Sequence, residues 1–265
     1  MPFTLSHPAA AIPFLRTGLV PSALVIGCMA PDFEYFLNFA PEGAFGHTLP
    51  GVFRFDLPVA FIALWLYHAY AKEPLYTWLP ESVRRRIQLG PTALPISNIA
   101  QFALVLLSIL IGVATHILWD SFTHPNFWPY RHWRFLHRTV RLPVYGPMEY
   151  LRVLQHGSTV VGGAVLLLWF WHWFRTTAPI QPETAPCPRR NHRAVLFVIC
   201  IVALIAAVIT GFVIPELRSP HHIIGRKELF ARAVIMAINI FWLGVVAYGA
   251  LRAIARTKLE NTQAS

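Results

Sequence analysis

Five apolar runs, at roughly Phe55–Tyr70, Ile99–Phe122, Thr159–Phe174, Ala194–Ile214 and Phe230–Ile254, alternate with short polar and basic segments. Runs of about 20 residues match the hydrocarbon thickness of a bilayer, and the second, fourth and fifth reach it. The first and third are shorter. Trp65, Tyr67, Trp169, Trp171 and Trp173 sit near one end of each, as aromatic belts do. A further apolar stretch, Leu19–Phe39, is broken by Pro21 and Pro31 and carries Asp32 and Glu34, so it predicts a short interfacial or re-entrant helix. The pattern specifies an all-α integral membrane bundle of about five spans plus that N-terminal helix. Along the chain it divides into a membrane domain over 1–177, a Pro-rich linker over 178–193, a C-terminal helix pair over 194–257 and a disordered tail over 258–265.

Composition agrees with a membrane solvent. Of 265 residues, 55% are hydrophobic and only 13% charged, about half the charge of a soluble chain. The net charge of +10 raises the question of nucleic acid. The basic residues, however, lie in short loops between apolar runs and form no nucleic-acid module. The three cysteines, Cys28, Cys187 and Cys200, have no motif spacing. No cleavable signal pattern opens the chain. With five spans, Lys and Arg divide eleven to eleven between the two membrane sides, so orientation is not set by charge. Histidines divide nine to three, and Asp32 and Asp120 fall on the histidine-rich side.

That asymmetry frames the candidate chemistry. In Thr115-His116-Ile117-Leu118-Trp119-Asp120-Ser121-Phe122-Thr123-His124, an imidazole, a carboxylate and a second imidazole recur every four residues at the end of an apolar run. Helical spacing puts His116 and Asp120 on one face, and His124 follows if the helix reaches it. Ionisable groups at a span mark function by default. His7, Asp32 and His47 emerge on the same side and complete a candidate metal set of His7, Asp32, His47, His116 and Asp120. Imidazole and carboxylate without cysteine suit zinc or another divalent first-row ion. Such an ion lowers the pKa of bound water and polarises a scissile group, with Asp32, Asp120 and His124 as catalytic candidates.

Plainer roles exist for each residue. Asp32 after Pro31 serves equally as a helix cap, His116 and Asp120 as a structural hydrogen-bonded pair, and His124 before Pro125 as a turn residue. Glu34 falls on another face from Asp32. Gln155 and His156 open the third run without a partner motif, and His132, His137, His221 and His222 lie in Arg-rich loops.

The opening Met-Pro-Phe-Thr-Leu-Ser-His-Pro-Ala-Ala, the segment Ala30-Pro31-Asp32-Phe33-Glu34-Tyr35-Phe36, His47-Thr48-Leu49-Pro50-Gly51 and the His116–His124 run resemble a bacterial polytopic membrane family of unknown function. That family is distantly similar to the YdjM-type membrane-bound metal-dependent hydrolases. Their pattern of an early His, a Pro-Asp, a middle His and a later His-x-x-x-Asp falls on His7, Asp32, His47, His116 and Asp120. The His-x-x-x-Asp element is also similar to one in zinc-dependent phospholipase C. The Arg that YdjM-type proteins carry beside the middle His is missing at Phe45-Gly46-His47-Thr48, and a second His-x-x-x-Asp element is not evident. A mono- or dinuclear site is then expected before a trinuclear one.

The resemblance implies a bacterial inner-membrane, metal-dependent hydrolase holding zinc and acting on phosphoesters of lipids or amphiphiles. Partners would be membrane lipids and a phosphate-bearing amphiphile met by Arg131, Arg134, Arg138 and Arg141, without nucleic acid. A proton- or ion-coupled transporter using His116 and Asp120 as a relay is the alternative, as is a non-catalytic scaffold stabilised by metal. The sparse charge in the last two spans and the lack of an inverted repeat weigh against transport.

Overall fold

The structure is a computed structural model that describes residues 4–94, 96–125, 127–143, 146–180, 190–210 and 226–264. The apolar runs become helices, and four are long and apolar enough to cross a membrane: Leu49–Trp78, Ile99–Ser121, Tyr150–Thr176 and Glu228–Lys258. The expected fourth span forms a helix over Arg190–Val208, whose apolar part, His192–Val208, is too short to count. Its expected end at Ile214 lies outside the described residues, as do His221, His222 and most of the 178–193 linker.

We number the helices α1 (Pro21–Gly27), α2 (Phe33–Asn38), α3 (Leu49–Trp78), α4 (Glu81–Arg84), α5 (Ile99–Ser121), α6 (Trp128–His132), α7 (Tyr150–Thr176), α8 (Arg190–Val208) and α9 (Arg226–Ala264). Ahead of them runs a 3₁₀ helix over Thr4–Phe14. The stretch Leu19–Phe39 is the broken helix its prolines dictate: α1, a 3₁₀ turn over Ala30–Asp32, then α2. The architecture is the all-α membrane bundle expected, with one short antiparallel hairpin, Thr139–Leu142 with Gly146–Glu149, in which Thr139 lies opposite Glu149. α9 continues to Ala264 because Lys258, Leu259, Glu260, Gln263 and Ala264 are good helix formers, and extending an established helix is far easier than nucleating one.

The chain forms two compact units. The first comprises Met1–Phe33, Ala44–Ile62 and Ile96–Thr176; the second comprises Glu34–Gly43, Ala63–Pro95 and Thr177–Ser265. The second therefore takes in segments that sequence order places in the 1–177 domain, because packing rather than chain order joins them to the C-terminal helices. In it, Leu196 and Val245 bury against Ala71. Glu73 also accepts hydrogen bonds from Arg252 at 3.0 Å and Arg256 at 2.9 Å.

The first unit is built around α5. Asn98 caps this helix by accepting from the Gln101 amide at 2.9 Å, while the Gln101 side chain accepts from the Ser97 amide at 2.7 Å. α1 lies against α5 at backbone contact. A Cβ on Gly112 would stand 2.4 Å from the Leu24 carbonyl oxygen, and one on Gly27 would stand 2.4 Å from that of Ile109. Only glycine permits this approach, the device that membrane helices use to interlock. Ser108 Oγ accepts from the Val20 amide at 3.0 Å and donates to Leu104 O at 2.7 Å, pinning the start of α1.

Candidate metal centre

The close α1–α5 contact delivers the Cys28 carbonyl to His116. His116 Nδ1 donates to it at 2.7 Å, which fixes the tautomer and leaves Nε2 a bare lone pair. Four residues on, Asp120 lies on the same face, and both side chains are fully buried. The 3₁₀ turn brings Asp32 opposite them. Its Oδ1 lies 3.7 Å from His116 Nε2 and 3.8 Å from His47 Nε2. His47, just ahead of α3, places Nε2 3.3 Å from Asp120 Oδ2.

His7 enters from the N-terminal helix, with Nε2 3.5 Å from Asp120 Oδ1 and its ring stacked on His116 at 3.9 Å. His124 follows the end of α5, with Nδ1 3.4 Å from Asp120 Oδ2. His7, His47, His116 and His124 thus converge on the Asp120 carboxylate, and Asp32 faces His47 and His116 from the other side. The other candidates stand apart. Glu34 lies beside Gly43 in the second unit. His156 is exposed on α7. His132 and His137 donate to backbone carbonyls of Trp128 and Tyr130 at 2.9 and 2.7 Å.

The separations carry chemical information. Charge-assisted hydrogen bonds between imidazole and carboxylate run at about 2.7–2.9 Å, and these contacts are all longer. His116 Nε2, His47 Nε2, His7 Nε2, Asp32 Oδ1 and Asp120 Oδ2 are buried without a hydrogen-bond partner. Unpaired buried polar atoms are costly, and a knot of them aimed at one point is not a structural hydrogen-bond network. Two ligand atoms that each lie ~2.1 Å from a shared ion at a tetrahedral angle are about 3.4 Å apart. The observed contacts bracket that value, and donor atoms of Asp32, His47, His116 and Asp120 all lie within 4.8 Å of one another. This donor set fits a divalent cation.

Electrostatics prepares the same site. Burial, reinforced by neighbouring imidazoles, pushes the His7 pKa down to about 3, and burial lowers that of His124. Both rings are neutral near pH 7 and able to ligate. Burial raises the Asp32 pKa, so in the empty site its carboxyl holds a proton more tightly than in water. A cation competes with protons for that carboxyl. Metal affinity is therefore expected to fall on acidification, by up to about tenfold per pH unit for each proton displaced, checked by metal-binding titrations at stepped pH. An affinity independent of pH would contradict this.

Sequence reasoning missed two supporting residues. Thr4 Oγ1 donates to Asp32 Oδ2 at 2.7 Å. In a 3₁₀ helix residues three apart eclipse, so Thr4 and His7 face the centre together; the Thr4-x-x-His7 spacing was the available signal. Asp56 is fully buried on a π-helical segment of α3, Val52–Asp56. A Cβ on Gly46 would meet Asp56 Oδ1 and the Pro31 carbonyl, each at 2.8 Å. Gly46 thus lets the His47 loop lie flat between Asp56 and the Asp32 turn. Thr4→Val is expected to weaken metal binding by about tenfold while leaving the fold intact, as loss of an outer hydrogen bond to a ligand does. Calorimetric titration beside a melting curve checks it.

No curated protein and no solved structure is significantly similar to the chain. The family match that does exist carries no support for the YdjM resemblance. A family model spanning residues 1–250 matches, and the chain belongs to that family, described as Domain of unknown function (DUF4184).

Proposed function

We propose that this multi-pass membrane protein is a metal-dependent hydrolase of the bacterial inner membrane, acting on phosphoesters of lipids or amphiphiles. The convergence of Asp32, His47, His116 and Asp120, with donor atoms within 4.8 Å of one another and unpaired, and with His7 and His124 flanking Asp120, is the observation that carries the reading. Asp32, His47, His116 and Asp120 would hold the ion, with His7 beside them, and zinc suits this oxygen and nitrogen donor set. A divalent ion there supplies Lewis acidity and lowers the pKa of a water ligand.

The chain's own groups divide the remaining work. The cluster opens to solvent on one edge, where the side chains of His47 and His124 are 11% and 15% exposed while His7, Asp32, His116 and Asp120 are essentially closed off. A substrate therefore enters past His124. Neutral at pH 7, this imidazole is placed to accept a proton from the attacking water and to return it to the leaving oxygen. Thr4 orients Asp32 so that Oδ1 faces the site, where the carboxylate serves as ligand or base. The position of Asp120, one residue before the end of α5, favours surface hydrolysis over transport, since carrier sites lie near the middle of their spans.

The test is turnover by metal-loaded protein in detergent against phosphomonoesters, phosphodiesters and phospholipids. His124→Ala is expected to keep the metal and lose roughly a hundredfold or more in turnover. A metal-loaded wild type that is inert across the panel would overturn the hydrolase reading.

A further inference from the structure

The open edge of the metal centre continues into an aromatic and basic ledge. Phe127 meets both His47 and His124, at ring separations of 6.4 Å. Beside it, Trp128 packs on Trp133 at 6.2 Å, and Trp133 on Phe122 at 5.6 Å and Phe135 at 5.8 Å. These are not core contacts: Trp128 is 60% exposed, and Phe122, Trp133 and Phe135 are exposed as well. Leu136 is the buried peg that anchors the segment. Arg131, Arg134, Arg138 and Arg141 rise from the same stretch, all exposed, and among the described residues none of them forms an ion pair. Between Ser121 and Tyr150 the sequence supplies a single acid, Glu149.

Topology fixes where this ledge lies. A chain that crosses along α5 and returns along α7 keeps residues 122–149 on one membrane face, at the depth where both helices end. Exposed tryptophan at that depth sits among headgroups, and exposed arginine there attracts anionic ones. We propose that Phe122–Arg141 is a binding surface for anionic phospholipid headgroups, placed to hold such a lipid with its phosphate at the His47/His124 edge. Binding stands on the ledge alone; its consequence, that the substrate is an anionic membrane lipid rather than a water-soluble ester, rests on the hydrolase reading.

The experiment uses full-length protein in nanodiscs containing brominated phosphatidylglycerol or brominated phosphatidylcholine. Quenching that disappears in Trp128→Phe/Trp133→Phe reports the ledge. In wild type this quenching should reach half its maximum at a roughly tenfold lower fraction of the anionic lipid than of the neutral one. The preference should vanish at high salt and in Arg131→Gln/Arg134→Gln/Arg138→Gln. Equal quenching by both lipids, a preference indifferent to salt, or an arginine variant with normal metal content that behaves as wild type would each overturn the proposal. The measurement needs no turnover and can be repeated in Asp120→Asn. A preference that persists in Asp120→Asn supports the lipid surface, and a metal-loaded wild type that keeps the preference but is inert on every ester rejects only the hydrolase. Turnover on soluble esters without lipid preference rejects the surface and leaves the hydrolase standing.

Discussion

Asp120→Asn should strip the metal from the protein while leaving the metal-free fold as stable as before, or more so. Asp120 is the hub of the centre: His7 reaches one carboxylate oxygen, and His47, His116 and His124 reach the other. Losing an outer-shell partner typically weakens metal binding ten- to a hundredfold, so losing the charged hub should exceed a hundredfold. The metal-free protein responds in the opposite sense. Its buried carboxylate leaves Oδ2 without a hydrogen bond, whereas an amide of the same shape carries no charge and donates to an imidazole lone pair. Elemental analysis of purified protein, and melting curves with and without chelator, read both effects. Wild type should melt higher with metal, and the variant should show no such shift. Full metal occupancy in Asp120→Asn, or a chelator shift as large as that of wild type, would place the ion elsewhere. His116→Ala should also lose the metal, but with a cavity where the imidazole stood it should lower the metal-free melting point too.

The cluster was largely legible because its residues follow rules a linear sequence obeys. The four-residue spacing of His116 and Asp120 can mean only one helical face, and the crowding of histidines on one side of the spans collected His7, Asp32 and His47. What escaped depends on geometry that spacing does not encode. Thr4 joins the site because the first turns are 3₁₀ rather than α, which eclipses it with His7. Asp56 stands at the edge of an apolar run with no motif around it, and a π-helical segment sets it under the His47 loop. Glu34, two residues from Asp32, belongs with the second unit because the chain turns from the 3₁₀ segment into α2 between them.

Hydropathy located the centres of the helices but not their ends. The run expected over 55–70 is the middle of Leu49–Trp78, and that over 159–174 is the C-terminal part of Tyr150–Thr176. A helix emerging into the headgroup layer can carry Arg54, Lys72, Glu73 or Arg152 without breaking, so a falling hydropathy marks the edge of the hydrocarbon and not the end of the helix. The prolines of Leu19–Phe39 were more informative than its apolarity. Pro21 sits at the first position of α1, and Pro31 lies in the 3₁₀ turn that carries Asp32 toward His116. The same residues that deny this stretch a full span build one wall of the centre.

Gly112→Ala is expected to be among the most damaging single substitutions in the first unit, although it adds one methyl group and replaces a poor helix former with the best. The new Cβ would stand 2.4 Å from Leu24 O, 2.7 Å from Cys28 N and 2.8 Å from Gly27 C. All three are backbone atoms of α1 or its C-cap Cys28 that no rotamer change can clear. α1 must move away from α5, and overpacking of this kind costs about 1–3 kcal/mol or more. The Cys28 carbonyl moves with it and releases the His116 Nδ1 hydrogen bond that aims Nε2 at Asp120. One methyl group distant from the ligand atoms should therefore lower both the melting point and metal affinity. Gly163→Ala on α7 is the matched control, because a Cβ there meets nothing within 4 Å. It should be neutral or stabilising by up to about 1 kcal/mol through helix propensity alone. If Gly112→Ala melts and binds metal like Gly163→Ala, the backbone contact between α1 and α5 does not exist as described. If it destabilises the fold without weakening metal binding, the Cys28 carbonyl is not what orients His116.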